Sequence, residues 1–224
     1  MGNHTADPGL CGLNGHTVVI DRGIVPTCKI NGLTQGAHCS ACNEVLNPQH
    51  DLGLYHIYLL SDIKYPSGAA EGKASFKCIG NPQEAYKMSF TSIPTEQEVY
   101  DILISFMPAY PEGMTFTNSE LYKSEKLFPD IYYTGKGCAA FATELSDAAF
   151  GEWPGRITFD FSNIRVGDII RLADDQHSVI VLEVDGDTVT IAEANYNGTV
   201  HWGRTLSLSD AATEWNYMIT RYPG

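Results

Sequence analysis

Three segments of the chain carry side chains suited to nucleophilic catalysis. Cys138 opens a stretch with helical periodicity, His177 precedes a segment rich in Val and Ile, and Glu193 and Asn195 end the next such segment. A thiolate, an imidazole that takes its proton and a polar group that orients the imidazole are the components of a cysteine hydrolase. The order Cys, His, then Glu or Asn therefore predicts acyl transfer through a thioester.

The surroundings of Cys138 favour a reactive thiol. Gly135 and Gly137 allow a tight turn, and the apolar stripe Phe141, Leu145 and Ala148 predicts a helix over 138–149. The unpaired N–H groups at a helix start stabilise a thiolate and can hold an oxyanion. The alternative is a buried structural cysteine, which is the commoner state of a lone Cys.

A predicted hairpin would bring the other groups together. Asp185-Gly186 is a strong turn signal between apolar segments at 178–184 and 188–193. The end of the second strand then lies beside the start of the first, so His177 neighbours Glu193 and Asn195. Because alternate residues of a strand share a face, both polar side chains are expected to point toward one cleft. The alternatives are an ordinary surface histidine and a solvated strand end.

The helix and strand signals in the rest of the sequence predict an α+β fold. Thr95 to Glu98 form a capping box before a helical repeat, and a second short helix is expected from about 117–120. Runs of β-forming residues predict further strands. They lie at 55–60, 74–79, 86–90, 168–172, 202–206 and 216–222. A cysteine-bearing helix followed by strands predicts a helix packed on an antiparallel sheet.

Residues 1–50 are rich in Gly, Asn, His and Cys, and we expect a small Cys-rich module there. His16, Cys28, Cys39 and Cys42 supply the four soft ligands that tetrahedral zinc prefers, with Cys39 and Cys42 in a C-x-x-C spacing. Rival ligands are Cys11 and His38, and one or two disulfides are the alternative. The predicted domains are this zinc-ribbon-like module at 1–50, a β-rich connecting segment at 51–93 and a hydrolase domain at 94–224.

Composition narrows the choice of partners. The formal net charge is −13, with no basic run, so nucleic acid is not an expected partner. The sequence contains no apolar stretch long enough to span a membrane. We expect the protein to be a monomer in solution.

The chemistry-bearing residues resemble those of a known family. Gly137-Cys138 with Phe141 three residues on, His177 before a Val-rich strand and Glu193-x-Asn195 are similar to the CHAP peptidases. These are cysteine amidases and endopeptidases related to the NlpC/P60 group, within the papain-like fold. The resemblance covers about 94–222 and extends to segments at 146–151, 165–168 and 201–204, which are similar to secreted multi-domain proteins of gut Firmicutes. Residues 1–50 resemble short Cys repeats of the same surface proteins.

The resemblance implies a role for each residue. Cys138 would be the nucleophile and His177 the base. Glu193 and Asn195 would orient or polarise the His177 imidazole. The aromatic residue or Gln that the family places before the nucleophile has no clear counterpart at 134–136, which leaves Tyr133 as the candidate second oxyanion donor. Together with Tyr196 and Trp202, it is expected to contact the substrate.

The resemblance also implies a function and a location. The expected reaction is cleavage of an amide in bacterial peptidoglycan, by an amidase or endopeptidase with no catalytic cofactor. The alternatives are a catalytically idle module that binds peptides or glycans at the cell surface, and a cysteine transferase or deamidase that acts on proteins. We expect a secreted or cell-surface protein whose signal peptide is absent from this sequence, since residues 1–6 lack the apolar core of one.

Overall fold

A computed structural model describes residues 16–172 and 176–223. The fold is mixed α+β, and every strand pairing within these residues is antiparallel. Among the described residues, no helix is long and apolar enough to cross a membrane.

The strands, numbered in chain order, are β1 (Val18–Asp21), β2 (Gly32–Leu33), β3 (Gly36–Cys39), β4 (Val45–Asn47), β5 (Asp51–Gly53), β6 (Tyr58–Lys64), β7 (Gly72–Cys78), β8 (Asn81–Phe90), β9 (Leu121–Ser124), β10 (Tyr133–Lys136), β11 (Arg156–Thr158), β12 (Ile169–Leu172), β13 (Ser178–Asp185), β14 (Thr188–Tyr196), β15 (Thr199–Ser207) and β16 (Trp215–Thr220).

The described helices are α1 (Glu96–Ile104), α2 (Cys138–Phe150) and α3 (Ala211–Glu214), with 3-10 turns at Phe161–Asn163 and Leu208–Asp210. The capping box at Thr95 is confirmed by reciprocal bonds with Glu98. The helix expected from 117–120 is wrong. The Glu120 carboxylate does accept from the Thr117 N–H, at 2.6 Å, but this bond closes a turn, and the chain then enters the hairpin of β9 and β10.

A six-stranded sheet in the order β11-β16-β12-β13-β14-β15 forms the centre of the molecule. Its two faces are buried in different clusters because side chains alternate along each strand. Ile180 of β13 and Ala192 of β14 face the cluster that contains Phe141 and Leu145 of α2. The intervening side chains, among them Val179, lie in a second cluster around Trp215. The continuous apolar run of β13 is therefore explained by burial on both faces.

The first half of the chain packs against this unit. The three-stranded sheet β6-β7-β8 shares a hydrophobic core with α2, and the Trp153 ring contacts Phe76 and Phe90 at centroid distances of 6.1 and 5.1 Å. Buried Asn216 of β16 donates to the Asn47 side chain, at 3.1 Å. The division into 1–50, 51–93 and 94–224 stays a prediction, but the described parts of these segments share one packed interior.

A buried ion pair fixes the C-terminal end of α2. The Arg221 guanidinium, 1% exposed, donates to Asp147 at 2.5 Å and to the Gly151 and Trp153 carbonyls, each at 2.7 Å. The other Asp147 oxygen accepts from Ser124, at 2.7 Å. The helix that carries Cys138 is thus anchored at the end opposite the thiol.

We expect Arg221→Met to lower the free energy of unfolding by roughly 3–5 kcal/mol, because it leaves a buried carboxylate without its cation. Urea denaturation measures this change. Lys126→Ala is the control, since Lys126 and Glu152 form an exposed pair at 3.5 Å. Such a pair contributes about 0–1 kcal/mol. Equal losses in the two variants would contradict the anchoring role.

Candidate active site

The first residue of α2 is Cys138, and the chain reaches it through β10 and Gly137. Gly137 has φ 55° and ψ −128°, a conformation that side chains disfavour, and it turns the chain sharply from strand to helix. The first bond within the helix runs from the Phe141 N–H to the Gly137 carbonyl. The N–H groups of Cys138 and Ala139 thus precede the helical bonding pattern and lie beside the thiol.

Cys138 and His177 line the same cleft, and their side chains are close enough for each to shift the pKa of the other. Burial raises the pKa of the Cys138 thiol, but the bond to His177, the Ser178 N–H and the positive charge of Arg171 outweigh it and lower the pKa to about 7. Burial lowers the pKa of His177, but bonds to Cys138 and Glu193 raise it to about 9. With the thiol the stronger acid of the two, a thiolate–imidazolium pair is favoured near neutral pH.

Glu193 holds the imidazole from its other side. Its carboxylate is fully buried and lies 2.8 Å from His177 Nε2, which leaves Nδ1 as the ring nitrogen for the Cys138 sulfur. Arg204 of β15 donates to both oxygens of the same carboxylate, at 2.5 and 2.7 Å. Burial raises the pKa of Glu193, but the bonds from Arg204 and His177 outweigh burial and lower it. The site therefore keeps a negative charge under the imidazole.

Asn195 takes a different position from Glu193. Its backbone is left-handed, with φ 60°, and the pairing of β14 with β15 shifts register between Glu193 and Tyr196. The Asn195 amide lines the cleft and donates to the Asn118 side chain at 3.0 Å, while Glu193 lies beneath the imidazole. Glu193 and Asn195 therefore contact different groups, and the described contacts of Asn195 do not include the His177 ring.

A cleft of about 490 Å³ opens over the thiol. Tyr133 and Tyr196, two of the three residues expected to contact the substrate, line it. Trp202 lies elsewhere: its indole N–H donates to the Tyr110 carbonyl at 2.8 Å, and its ring packs edge-on against Phe141. The structure thus gives Trp202 a role in supporting α2.

Several cleft residues escaped the sequence analysis because they come from distant segments. Tyr55 precedes β6, Arg171 lies on β12 and Tyr217 on β16, yet all three line the cleft with Asn118. Burial raises the pKa of Tyr55, Tyr133 and Tyr217, so these phenols stay protonated and remain hydrogen-bond donors at neutral pH. No local motif marks any of them.

Within residues 16–172 and 176–223, two groups of side chains are able to hold a metal ion, and neither includes Cys138. His16, Cys39 and Cys42 converge, with Cys42 Sγ 3.7 Å from His16 Nδ1. The prediction that Cys28 joins them is wrong, because Cys28 lies beside Cys78, His56 and Glu84 in the second group.

The rival ligands proposed for the first group have different positions. His38 contacts Asp21 through Nδ1, at 2.9 Å. It neighbours Cys39 on β3, where adjacent side chains point to opposite faces. Cys11 lies outside the described residues.

Substituting Gly137 should damage the site directly. A Cβ there would lie 2.4 Å from Asn118 Oδ1 and 2.8 Å from Asn195 Nδ2. We expect Gly137→Ala to reduce kcat/KM roughly 10²-fold, because displacement of reacting groups by about 1 Å costs this much. The measurement is steady-state turnover of the same amide substrate by both forms.

Gly151→Ala is a matched control for this substitution. Gly151 has φ 57° and ψ −121°, close to the values of Gly137, but no described atom beyond its chain neighbours lies within 4 Å of its added Cβ. It should therefore lose stability through the same backbone strain while keeping its turnover. Equal activity losses in both variants would show that backbone strain, and not the site, is responsible.

The comparisons with known proteins add little to the geometry. No family model matches the chain, and no curated protein matches it. The chain is similar to a solved structure described as "The crystal structure of Ly7917", with 18% sequence identity and a TM-score of 0.36. That match covers 58% of this chain and 63% of the other.

Proposed function

We propose that the protein is a cysteine hydrolase that cleaves an amide bond through a thioester on Cys138. The observation that carries this proposal is the placement of Cys138 and His177 in one cleft, with His177 bonded to Glu193 and Glu193 bonded to Arg204. A merely structural cysteine would need neither a partner that lowers its pKa nor a buried carboxylate behind that partner. We further propose that the α+β core is of the papain-like type, in the form found in CHAP peptidases.

The first half of the reaction forms the thioester. The Cys138 thiolate attacks the carbonyl carbon, and the carbonyl oxygen becomes an oxyanion near the N–H groups that begin α2. Tyr133 and the Asn118 amide are further candidate donors, since Asn118 Oδ1 accepts from Asn195 and its NH₂ group is left to donate. The His177 imidazolium then gives its proton to the leaving amine as the C–N bond breaks.

The second half returns the enzyme to its starting state. His177, now neutral, takes a proton from a water molecule, and the resulting hydroxide attacks the thioester carbonyl. The C–S bond breaks, the acid product leaves and Cys138 departs as a thiolate beside the imidazolium. Glu193 stabilises the imidazolium in both halves, and Arg204 keeps Glu193 ionised in its buried position.

The charge of the cleft supports an anionic peptide as the substrate. The chain has 27 Asp and Glu against 14 Lys and Arg. Among the described residues that line the cleft, however, Lys136 and Arg171 carry charge and no carboxylate is present. Cations with phenol and amide groups suit a peptide that ends in a carboxylate. We therefore propose a stem peptide of bacterial peptidoglycan, and a secreted or cell-surface location for the enzyme.

We also propose that His16, Cys39 and Cys42 belong to a structural zinc site in the Cys-rich module. The three ligand atoms lie within 4.8 Å of one another. Two thiolates with an imidazole match the preference of zinc for sulfur and nitrogen. This ion would stabilise the strands β1, β3 and β4 and take no part in the cleavage.

Digestion of purified peptidoglycan, with the fragments identified by mass, tests the proposed function. We expect new amine and carboxylate ends at one type of amide bond, and none with Cys138→Ala. Iodoacetamide labelling provides a second measurement, because the Cys138 thiolate should react near neutral pH much faster than buried Cys78.

The outcomes separate the alternatives. Rapid labelling of Cys138 without peptidoglycan cleavage would redirect the proposal to another acyl substrate, such as a protein amide. Slow labelling of Cys138, together with retention of peptides or glycans in a binding assay, would favour an idle binding module and contradict the hydrolase.

A further inference from the structure

A second group of metal-ligating side chains lies where β7 and β8 meet the loop after β1. Cys78 ends β7, Glu84 lies on β8, His56 precedes β6 and Cys28 comes from the loop. One ligand atom from each residue lies within 4.8 Å of all the others. We propose that Cys28, His56, Cys78 and Glu84 together bind one zinc ion, separate from the His16 group.

The sulfur geometry fits a tetrahedral ion. Cys28 Sγ and Cys78 Sγ lie 3.7 Å apart, and both are free thiols. Two sulfurs bound to one zinc at about 2.3 Å are separated by about 3.8 Å when the site is tetrahedral. The thiols thus already have the spacing that two zinc ligands need.

The imidazole gives an independent indication. His56 Nδ1 is buried and lies 2.6 Å from Glu84 Oε1, yet among the described groups it has no hydrogen-bond partner. The two atoms are close but not aligned for a hydrogen bond. Nitrogen and oxygen ligands of one zinc lie about 3.3 Å apart, so an ion would separate them by some tenths of an ångström while satisfying Nδ1.

Neighbouring groups complete the surroundings of the site. The Tyr58 hydroxyl contacts Glu84 Oε1 at 3.1 Å, and such an outer contact fixes the orientation of a ligating carboxylate. A side chain on Gly80 would meet Cys28 Sγ at 2.7 Å, so the glycine keeps the approach of the loop open. The site therefore joins the loop to the hairpin of β7 and β8.

The position of this ion links it to the cleft. His56 directly follows Tyr55, whose ring packs on Phe128 at 4.9 Å and whose side chain lines the cleft. The Tyr55 N–H also donates to the Thr27 carbonyl, next to Cys28, at 3.3 Å. A metal bound by Cys28 and His56 would hold both ends of this contact and fix the cleft wall.

The test measures zinc content per chain in the protein of residues 1–224, purified under reducing conditions and incubated with zinc. A Cys42→Ser background removes the His16 group from the count, and a His16→Gln background serves if the first does not fold. We expect about one zinc in the background protein, almost none after Cys78→Ser is added, and about one after Cys138→Ser is added. Absence of zinc from the folded background protein would overturn the proposal.

Two further measurements keep the proposal falsifiable. Glu84→Gln preserves shape and should weaken zinc binding roughly 10-fold or more in competition with a chelator. Unchanged affinity would overturn the four-ligand site. Mass analysis of unreduced protein purified with zinc present should show both thiols free for alkylation after metal removal, and a Cys28–Cys78 disulfide there would overturn the proposal in favour of a covalent link.

Discussion

Replacing Cys138 with alanine is expected to lower kcat/KM by roughly 10⁴-fold or more, and His177→Ala should cost nearly as much. Both substitutions remove the same proton transfer, since the imidazole and the thiol share one cleft and each shifts the pKa of the other. Their effects should therefore not add, and the double variant should be no slower than Cys138→Ala alone. Steady-state assays on a defined peptide amide measure these losses.

Substitutions of the residues behind the imidazole should lower kcat/KM less than the substitutions of Cys138 and His177 do. Glu193→Gln keeps the shape of the buried side chain but removes the charge that stabilises the imidazolium. Asn195→Ala removes a cleft contact to Asn118 and leaves the imidazole in place. We expect measurable turnover in both variants, with the greater loss in Glu193→Gln. Each folded variant is compared with the native protein by thermal unfolding, and full activity of Cys138→Ala would contradict the nucleophile assignment.

The core of the site could be predicted because its signals are local. Glycines before Cys138 and an apolar stripe behind it predict the helix, and α2 covers Cys138–Phe150. The turn signal at 185–186 predicts the hairpin, and Asp185 pairs with Thr188 in the structure. The turn therefore places His177 and Glu193 at the same end of the sheet, as predicted, whereas the register shift between Val181 and Glu183 has no signal in the turn.

The other features of the site depend on contacts between distant segments, which no local sequence pattern predicts. The expectation that Glu193 and Asn195 share one environment assumed regular strand alternation, which the positive φ of Asn195 interrupts. Arg204 reaches Glu193 from β15, and its place depends on a register shift between β14 and β15. Cys28 joins Cys78 across 50 positions of the chain, so spacing within residues 1–50 could not reveal its partners.

The second large effect is expected in the dependence of kcat/KM on pH. Burial alone would raise the pKa of the Cys138 thiol and lower that of His177, which would leave both groups neutral. Interactions with His177, the Ser178 N–H and Arg171 instead lower the pKa of Cys138 to about 7. Interactions with Cys138 and Glu193 raise the pKa of His177 to about 9. Below pH 7 the thiolate is lost by protonation, and above pH 9 the imidazolium has no proton for the leaving amine. The profile should therefore be bell-shaped, with kcat/KM falling ~tenfold per pH unit below the acid limb.

Iodoacetamide inactivation isolates the acid limb, because alkylation needs the thiolate but no proton donor. Its rate should rise through a pKa of about 7 in the native protein. In His177→Ala the pKa should move up toward about 8.5, the ordinary range of a thiol, since the largest opposing contribution to burial is gone. In Glu193→Gln the basic limb of kcat/KM should move to lower pH, because the imidazolium loses its buried counter-charge. A native protein that is alkylated with a single pKa near 8.5 would show that the ion pair does not form, and the proposed mechanism would lose its nucleophile at neutral pH.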